Sequence, residues 1–454
     1  TAVGSCPDGS GTGNTIGSIC PNTGNPFNGI VQENHGIPPG FAKHRYNNFG
    51  PRFGFAYDPT GSGKTAIRGG GGIFYERIRQ NVNSFDGLGN PPLSYTPTAF
   101  NGNIDDLGPQ VATGPRFPVG LNAFDKAGQI PTVYGYSLSV QRELPWQTGL
   151  EVAYVGNQGR HLQYQYNLEA TPVGSVLSLG GLPQPAFAPF KGYTNINFTK
   201  YDTNSSYNAL QVKATRRFHK DLTLTADYVY SKAMDIEDCD NGNGCLAGNA
   251  GNGLTDPFNP KLDWAASGFD RTHVFNFNYV YTLPEFRTSG SFMRYVAGGW
   301  EISGITKFWS GVPLDVKSNN GNPGNFVGVA RPDLGSGDAY LDHSDKKSWL
   351  NPAVFIAPQP GTVGDIRRNA FRGPGINNWD ISLFKNINFT EHVRLQLRLE
   401  TFNTFNHTQP ATINTTFSSP GVGLPPSPGT VGNSGEVTGY RDARNVQLGV
   451  KLYF

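Results

Sequence analysis

The chain has 454 residues with 36 basic and 34 acidic side chains, a net charge of +2, and no basic block, which excludes the concentrated positive footprint that nucleic acid requires. Its 59 Gly, 34 Pro, 12% aromatic and only 15% charged residues describe turns and rings rather than helix surfaces, so the chain is expected to be all-β. Mean hydropathy is −0.40 and no apolar run is long enough for a spanning helix, a test blind to strands that show lipid only at every second residue.

Residues 1–48 are rich in Gly, Asn, Pro and Ser without periodicity and read as one long loop, leaving 49–454 to supply the strands. NNFGPRFGFAYDP sets Phe53, Phe55 and Tyr57 against Arg52, Gly54 and Ala56. After the turn TGSG, KTAIRGGGGIFYERI places Thr65, Ile67, Ile73 and Tyr75 on one parity, which completes a hairpin. Residues 79–130 return to loop composition. PTVYGYSLSVQREL then aligns Tyr134, Tyr136, Leu138 and Val140, turns at PWQT, and comes back with Leu150, Val152 and Tyr154. YNALQVKATRRF turns at HKD into LTLTADYVYSK, with Leu222, Leu224, Ala226, Tyr228 and Tyr230 on one side. FDRTHVFNFNYVYTL lines up Phe275, Phe277, Tyr279, Tyr281 and Leu283, and WEISGITKFWSG follows with Trp300, Ile302 and Phe308. Beyond the Pro/Gly/Asn-rich residues 311–374, NNWDISLFKNINF turns at TEH into VRLQLRLETF, where Val393, Leu395, Leu397 and Leu399 oppose Arg394, Gln396, Arg398 and Glu400.

The last strand, RNVQLGVKLYF, alternates to its final residue, with Val446, Leu448, Val450, Leu452 and Phe454 on one side. A terminal aromatic strand is what the assembly machinery of the bacterial outer membrane reads, so Phe454, Leu452 and Val450 are the candidate assembly signal. Parity alone fits two architectures. A soluble sandwich buries Leu and turns Arg to water, whereas a membrane barrel turns Leu to lipid and Arg to a polar lumen. Connection lengths separate them: TGSG, PWQT, HKD and TEH are short, Leu283 to Trp300 is longer, and every other connection runs to tens of residues. That asymmetry is expected when one rim faces a confined periplasm and the other faces outside. Tyr75, Tyr134, Trp146, Tyr164, Trp300, Trp309 and Trp379 lie near strand ends, as interfacial girdles require. The expected fold is therefore an antiparallel transmembrane β-barrel, about eleven strands of it, in the outer membrane of a Gram-negative bacterium.

The segments GPRFGFAYDPTGSGKTAIRGGGGIFYERI, YGYSLSVQRELPWQTGLEVAYVGNQGRHL, SSYNALQVKATRRFHKDLTLTADYVYSKAMD and FDRTHVFNFNYVYTLP, with the closing strands, resemble the C-terminal barrel of TonB-dependent outer-membrane receptors. The likeness is to the Oar-like branch, whose members carry an N-terminal carboxypeptidase-regulatory-like domain. It implies a barrel of about 22 strands, an internal plug and energy supplied by TonB. No plug, TonB box or regulatory-like domain is found in this sequence, and an odd half-count of strands cannot close alone, so the chain is expected to be the C-terminal part of a longer protein. The resemblance implies a transporter or receptor for an extracellular ligand such as an oligosaccharide, peptide or metal chelate, partnered by membrane lipid, the assembly machinery and, through the absent N-terminal part, TonB. A structural or adhesive surface protein is the alternative.

Candidate chemistry is sparse, and no enzyme activity or cofactor is expected. TGSGKT imitates a phosphate-binding loop, but the Gly required earlier in that motif is Asp58, and AIRGGGGIFY reads as strand rather than helix. Asp235, Glu237, Asp238 and Asp240 could offer oxygen to an irregular calcium site, although an EF-type template places Gly242 at a ligand position. Eight scattered His form no catalytic or metal spacing. Cys6 with Cys20 and Cys239 with Cys245 lie in Gly/Asn-rich loops and are expected to be disulfides formed in an oxidising compartment. Arg394, Arg398 and Glu400 are candidate lumen contacts for solute or plug. Ligand specificity is expected in residues 79–130, 166–200, 235–268, 311–374 and 406–440.

Overall fold

The computed structural model describes residues 43–76, 90, 119–170, 173, 193–218, 221–238, 254–256, 258–284, 291–318, 331–344, 346–358, 362–390, 392–417 and 434–454. Eleven long strands follow one another as an antiparallel meander: β1 (Arg52–Tyr57), β2 (Thr65–Tyr75), β3 (Thr132–Leu144), β4 (Thr148–Asn167), β5 (Tyr193–Phe218), β6 (Leu222–Asp235), β7 (His273–Thr282), β8 (Trp300–Trp309), β9 (Ile376–Asn388), β10 (Arg394–Phe402) and β11 (Asn445–Tyr453). Each pairs with its neighbour in sequence, and β1 and β11 are the sheet edges among the described residues. The described residues thus form the expected all-β antiparallel sheet, with eleven strands along its main path.

Register makes the alternation of single strands into two continuous faces. Tyr57, Ile67, Val140, Val152, Val212, Tyr228, Phe275 and Phe308 lie opposite one another in one row from β1 to β8. Leu383, Leu399 and Leu448 continue the same face on β9, β10 and β11. The row starts beside the short turn of β1 and ends at the far end of β8, which is the stagger that tilted barrel strands require. The opposite face carries Gln141, Glu151, Lys213, Asp227, Asn276, Lys307 and Asn378 in a single row. There Lys213 Nζ lies 3.9 Å from an Asp227 carboxylate oxygen. A sheet with Leu399 and Val450 open on one side and this charged row on the other has the binary pattern of a lipid face and a watery lumen.

Two glycines of the apolar face are filled by neighbouring rings. A Cβ on Gly69 would meet the Phe55 ring at 2.5 Å, and one on Gly156 would meet the Tyr136 ring at 2.1 Å. The rings lie over bare backbone that an alanine would displace, which is how aromatic residues compensate for strand glycine.

Short connections alternate with long ones. Residues 145–147 close β3 to β4 with Trp146 and Gln147 both at positive φ, 61° and 55°. The β1–β2 turn settles the status of TGSGKT. Asp58 Oδ1 accepts from the backbone N–H of Thr60 at 2.9 Å and Gly61 at 3.0 Å, and its Oδ2 accepts from Gly63 N–H at 2.7 Å. The amides that would cradle a phosphate are therefore bound to a carboxylate of the same turn. Backbone bonds from Gly63 and Thr60 hold Asp58 below its usual pKa of 3.8. Because the folded value is the lower one, this contribution to the turn is present above 3.8 and is lost as pH falls through the folded value. Amide shifts of Gly61 and Gly63 should titrate with a midpoint below 3.8; a midpoint at or above it would contradict the bonding.

Several expectations need correction. β4 runs on to Asn167 and β5 begins at Tyr193, so strand occupies part of the expected 166–200 loop, and Val119–Phe124 lies parallel to the start of β5 within the expected 79–130 loop. At about 3.4 Å per residue, the 26 residues of β5 far exceed a ~25 Å apolar band, so its first half stands clear of the membrane. A bulge between Gly159 and Leu162, with His161 at φ 55°, marks the bend. The β7–β8 connection contains a short helix, α1 (Ser291–Ala297). Two expected girdle residues point elsewhere. Tyr164 is buried with Ile236 and Leu254, and Trp309, one residue past Phe308, falls on the polar face. Trp300 and Trp379 hold the expected parity, with Trp379 edge-on to Phe308 and Phe405.

Candidate functional site

The long-loop rim is covered by a cap with its own core. Leu314, Val316, Leu350, Val354, Phe355, Ile366, Phe371, Ile413 and Phe417 pack together, with Trp349 and Tyr340 against them. They come from two connections, β8–β9 and β10–β11, which interlock by backbone pairing. Lys317–Ser318 runs parallel to Thr416–Phe417, Pro313–Leu314 pairs with Phe371–Arg372, and Pro410–Ile413 pairs with Val437–Tyr440. Trp349 N–H and Leu350 N–H both donate to Gly435 O, at 2.8 and 3.1 Å. Gly435 itself sits at φ 79°, and a Cβ there would meet that Leu350 carbonyl at 2.2 Å, so only glycine makes the joint.

Three arginines of the β8–β9 connection tie this cap to the β6–β7 connection. Arg331, fully buried, donates from Nε to Asp315 Oδ1 at 2.9 Å, from Nη2 to Asp315 Oδ2 at 3.2 Å, and from Nη1 to Asp263 Oδ1 at 2.9 Å. Asp263 Oδ2 also accepts Thr255 N–H at 2.7 Å. Arg368 donates to Asp238 Oδ2 at 2.7 Å, to Asp263 O at 3.0 Å, and to the Asp235 carboxylate. Burial works against its charge, yet Asp238 and Asp235 raise the guanidinium above its ordinary value. Arg372 donates to Asp270 and to Gly311 O. Asp235 and Asp238 are thus committed to a guanidinium, which leaves the calcium alternative without those two ligands, and Asp240 lies outside the described residues. Among the described residues no cluster suited to a metal ion occurs.

Beneath the cap, at the mouth of the polar face, lies an open cavity of about 1050 Å³ between β8, β9 and the residues leading into β11. Lys307, Trp309, Asp380, Tyr440, Arg441 and Arg444 are among its walls. Lys307 Nζ stands 3.8 Å from Asp380 Oδ2, while Asp380 Oδ1 accepts Asn403 N–H at 2.9 Å and Asn378 Nδ2 at 2.8 Å. Trp309 donates to Asn276 Oδ1 at 3.0 Å, and the Arg271 guanidinium lies 5.3 Å from its ring centre. Arg441 Nε is buried without a hydrogen-bond partner among the described residues. The walls combine fixed charge of both signs with an aromatic face, a lining suited to polar, ring-bearing or charged solutes.

The residues named from sequence fall in three places. Arg394, Arg398 and Glu400 lie on the polar face of β10, with Arg394 4.3 Å from the Tyr453 ring centre and Arg398 donating to Gln396 Oε1 at 2.8 Å. Val450 and Leu452 lie on the apolar face of β11, and Phe454 follows it, almost fully exposed. Cys6, Cys20, Cys239 and Cys245 lie outside the described residues. Arg331, Arg368, Arg372 and the cavity walls were not anticipated. The available signal was an Asp-rich β6–β7 connection matched by the Arg of the β8–β9 connection.

No curated protein matches the chain in sequence. Among solved structures it is similar to the outer membrane transporter YddB from Escherichia coli, at 11% identity and TM-score 0.46, covering 89% of this chain and 40% of that one. It is also similar to the siderophore receptor PiuA from Acinetobacter baumannii, at 9% identity and TM-score 0.41, covering 88% and 35%. A third is the FrpB iron transporter from Neisseria meningitidis, at 12% identity and TM-score 0.38, covering 89% and 39%. The chain therefore spans well under two thirds of the length of these structures. The family model of the outer membrane beta barrel domain matches residues 10–447, almost the whole chain, and the protein belongs to that family of the Gram-negative outer membrane.

Proposed function

We propose that this chain supplies the C-terminal strands and ligand-facing loops of a TonB-dependent outer-membrane transporter or receptor of the Oar-like branch. In this reading the short-turn rim lies in the periplasm and the capped rim outside, since barrels of this membrane keep their short turns inside. The observation that carries the reading is the capped mouth: a core-bearing, arginine-braced cap stands over a charged and aromatic cavity on the lumen face. An extracellular ligand such as an oligosaccharide, peptide or metal chelate meets the cap first and the cavity next. Arg394, Arg398 and Glu400, deeper on the same face, are then placed to contact solute or plug.

The reading requires further strands and a plug. Intact mass and N-terminal sequencing of the native protein from detergent-solubilised envelope should give about twice 49.1 kDa or more, with residues ahead of Thr1. A native mass of 49.1 kDa beginning at Thr1 would end the single-chain transporter reading. The packed, arginine-braced core of the cap favours one second reading, a structural or adhesive surface protein. Uptake or growth on any ligand that is lost with TonB would count against it, and a phenotype of the deleted gene that is indifferent to TonB would support it.

A further inference from the structure

The C-terminal end of α1, between β7 and β8, lies against the outside of the sheet. Lys385 and Trp300 lie opposite each other on the apolar face, in the row that includes Leu397. Lys385 Nζ donates to Val296 O at 3.2 Å and to Gly298 O at 2.5 Å, and Trp300 Nε1 donates to Val296 O at 2.8 Å. Two side chains of the lipid-side parity therefore hold the C-terminal end of α1, so the helix end belongs to the outer side of the sheet and not to its lumen. The lysine places a charge on the apolar face. It is satisfied by the carbonyls that a helix end leaves free, and it lies 5.0 Å from the Trp300 ring centre.

From this tethered end, Phe292, Tyr295 and Val296 follow helical spacing on one face, and they remain 77%, 52% and 54% exposed. Such a surface is costly in water. It is continuous with the apolar band through Trp300, and its rim also carries Trp146 and Arg216, whose guanidinium lies 3.5 Å from the Phe218 ring centre. Aromatic residues with snorkelling cations mark the headgroup level of a bilayer.

We propose that α1 is an interfacial foot, its Phe292, Tyr295 and Val296 seated among the glycerophospholipids of the periplasmic leaflet and its orientation fixed by Lys385 and Trp300. The leaflet assignment rests on the rim orientation proposed above. Lipid is the occupant because the exposed face adjoins the lipid-facing surface of the sheet and is held by residues of that surface.

The test is photo-crosslinking in cells with the full-length protein, p-benzoylphenylalanine being placed singly at Phe292, Val296, Leu399 or Ser382. Phospholipid adducts are expected at 292, 296 and 399 and should be lost at 382, which lies on the lumen face. Adducts at 399 with none at 292 and 296 would overturn the foot while leaving the barrel intact. Crosslinks from 292 and 296 to a protein or to lipopolysaccharide would also overturn it. Loss of the lipid adduct at 399 as well would remove the membrane placement of the whole sheet, and the foot with it.

Discussion

Leu399→Arg should cost about 2–4 kcal/mol, because an arginine at the depth of Leu383 and Leu448 has lipid on its own side and no partner within reach. Gln447→Arg, opposite Glu400 on the other face, should stay within about 0.5 kcal/mol, since that face is wet and a carboxylate already lies beside it. The two variants place the same charge on opposite faces of neighbouring strands. Reversible unfolding by denaturant in phospholipid vesicles reads both. Equal costs would mean that the two faces do not see different solvents.

Removing Arg331 should have the largest effect on the cap. Arg331→Ala strips Asp263 and Asp315 of their counter-charge while leaving both carboxylates buried, at 1% and 5% side-chain exposure. Breaking a buried pair from one side costs about 3–5 kcal/mol, mostly through the charge left behind. The loss should be local, since the eleven strands are held by their own ladders and lipid, whereas the cap rests on a small core and three arginines. Limited proteolysis should cut within residues 311–374 in the variant at protease levels the parent resists, with the heat-modifiable migration of the barrel unchanged. An uncut cap would show that Arg331 is dispensable to it.

What the sequence made legible was whatever repeats locally. Leu395, Leu397 and Leu399 against Arg394, Gln396 and Arg398 disclose a two-faced strand without any partner, and both the strand count and the alternation of turns and loops follow from such segments. The upper part of β5, NINFTKYDTNSS, was missed because it leaves the band, so no lipid selects its outward residues, and because the bulge at Gly159 to Leu162 breaks the register with β4. Trp309 was misassigned although its parity was readable, being one residue beyond Phe308 on a strand of period two. The cap was hidden for a different reason. Leu314, Leu350, Phe371 and Phe417 are isolated in Pro/Gly-rich sequence, and each finds its neighbours tens of residues away, as Arg368 does in Asp235 and Asp238. No local period encodes a core assembled from loops.

The assignment of lipid and water to the two faces of the sheet is tested most directly along β10. A fluorescent label placed in turn at each residue from 394 to 402, in the protein inserted into vesicles containing doxyl-labelled phospholipid, should be quenched at Leu395, Leu397 and Leu399 and spared at Gln396, Arg398 and Glu400. Absence of quenching at all of these positions would mean that the leucines pack against a second sheet, and the membrane barrel would be contradicted.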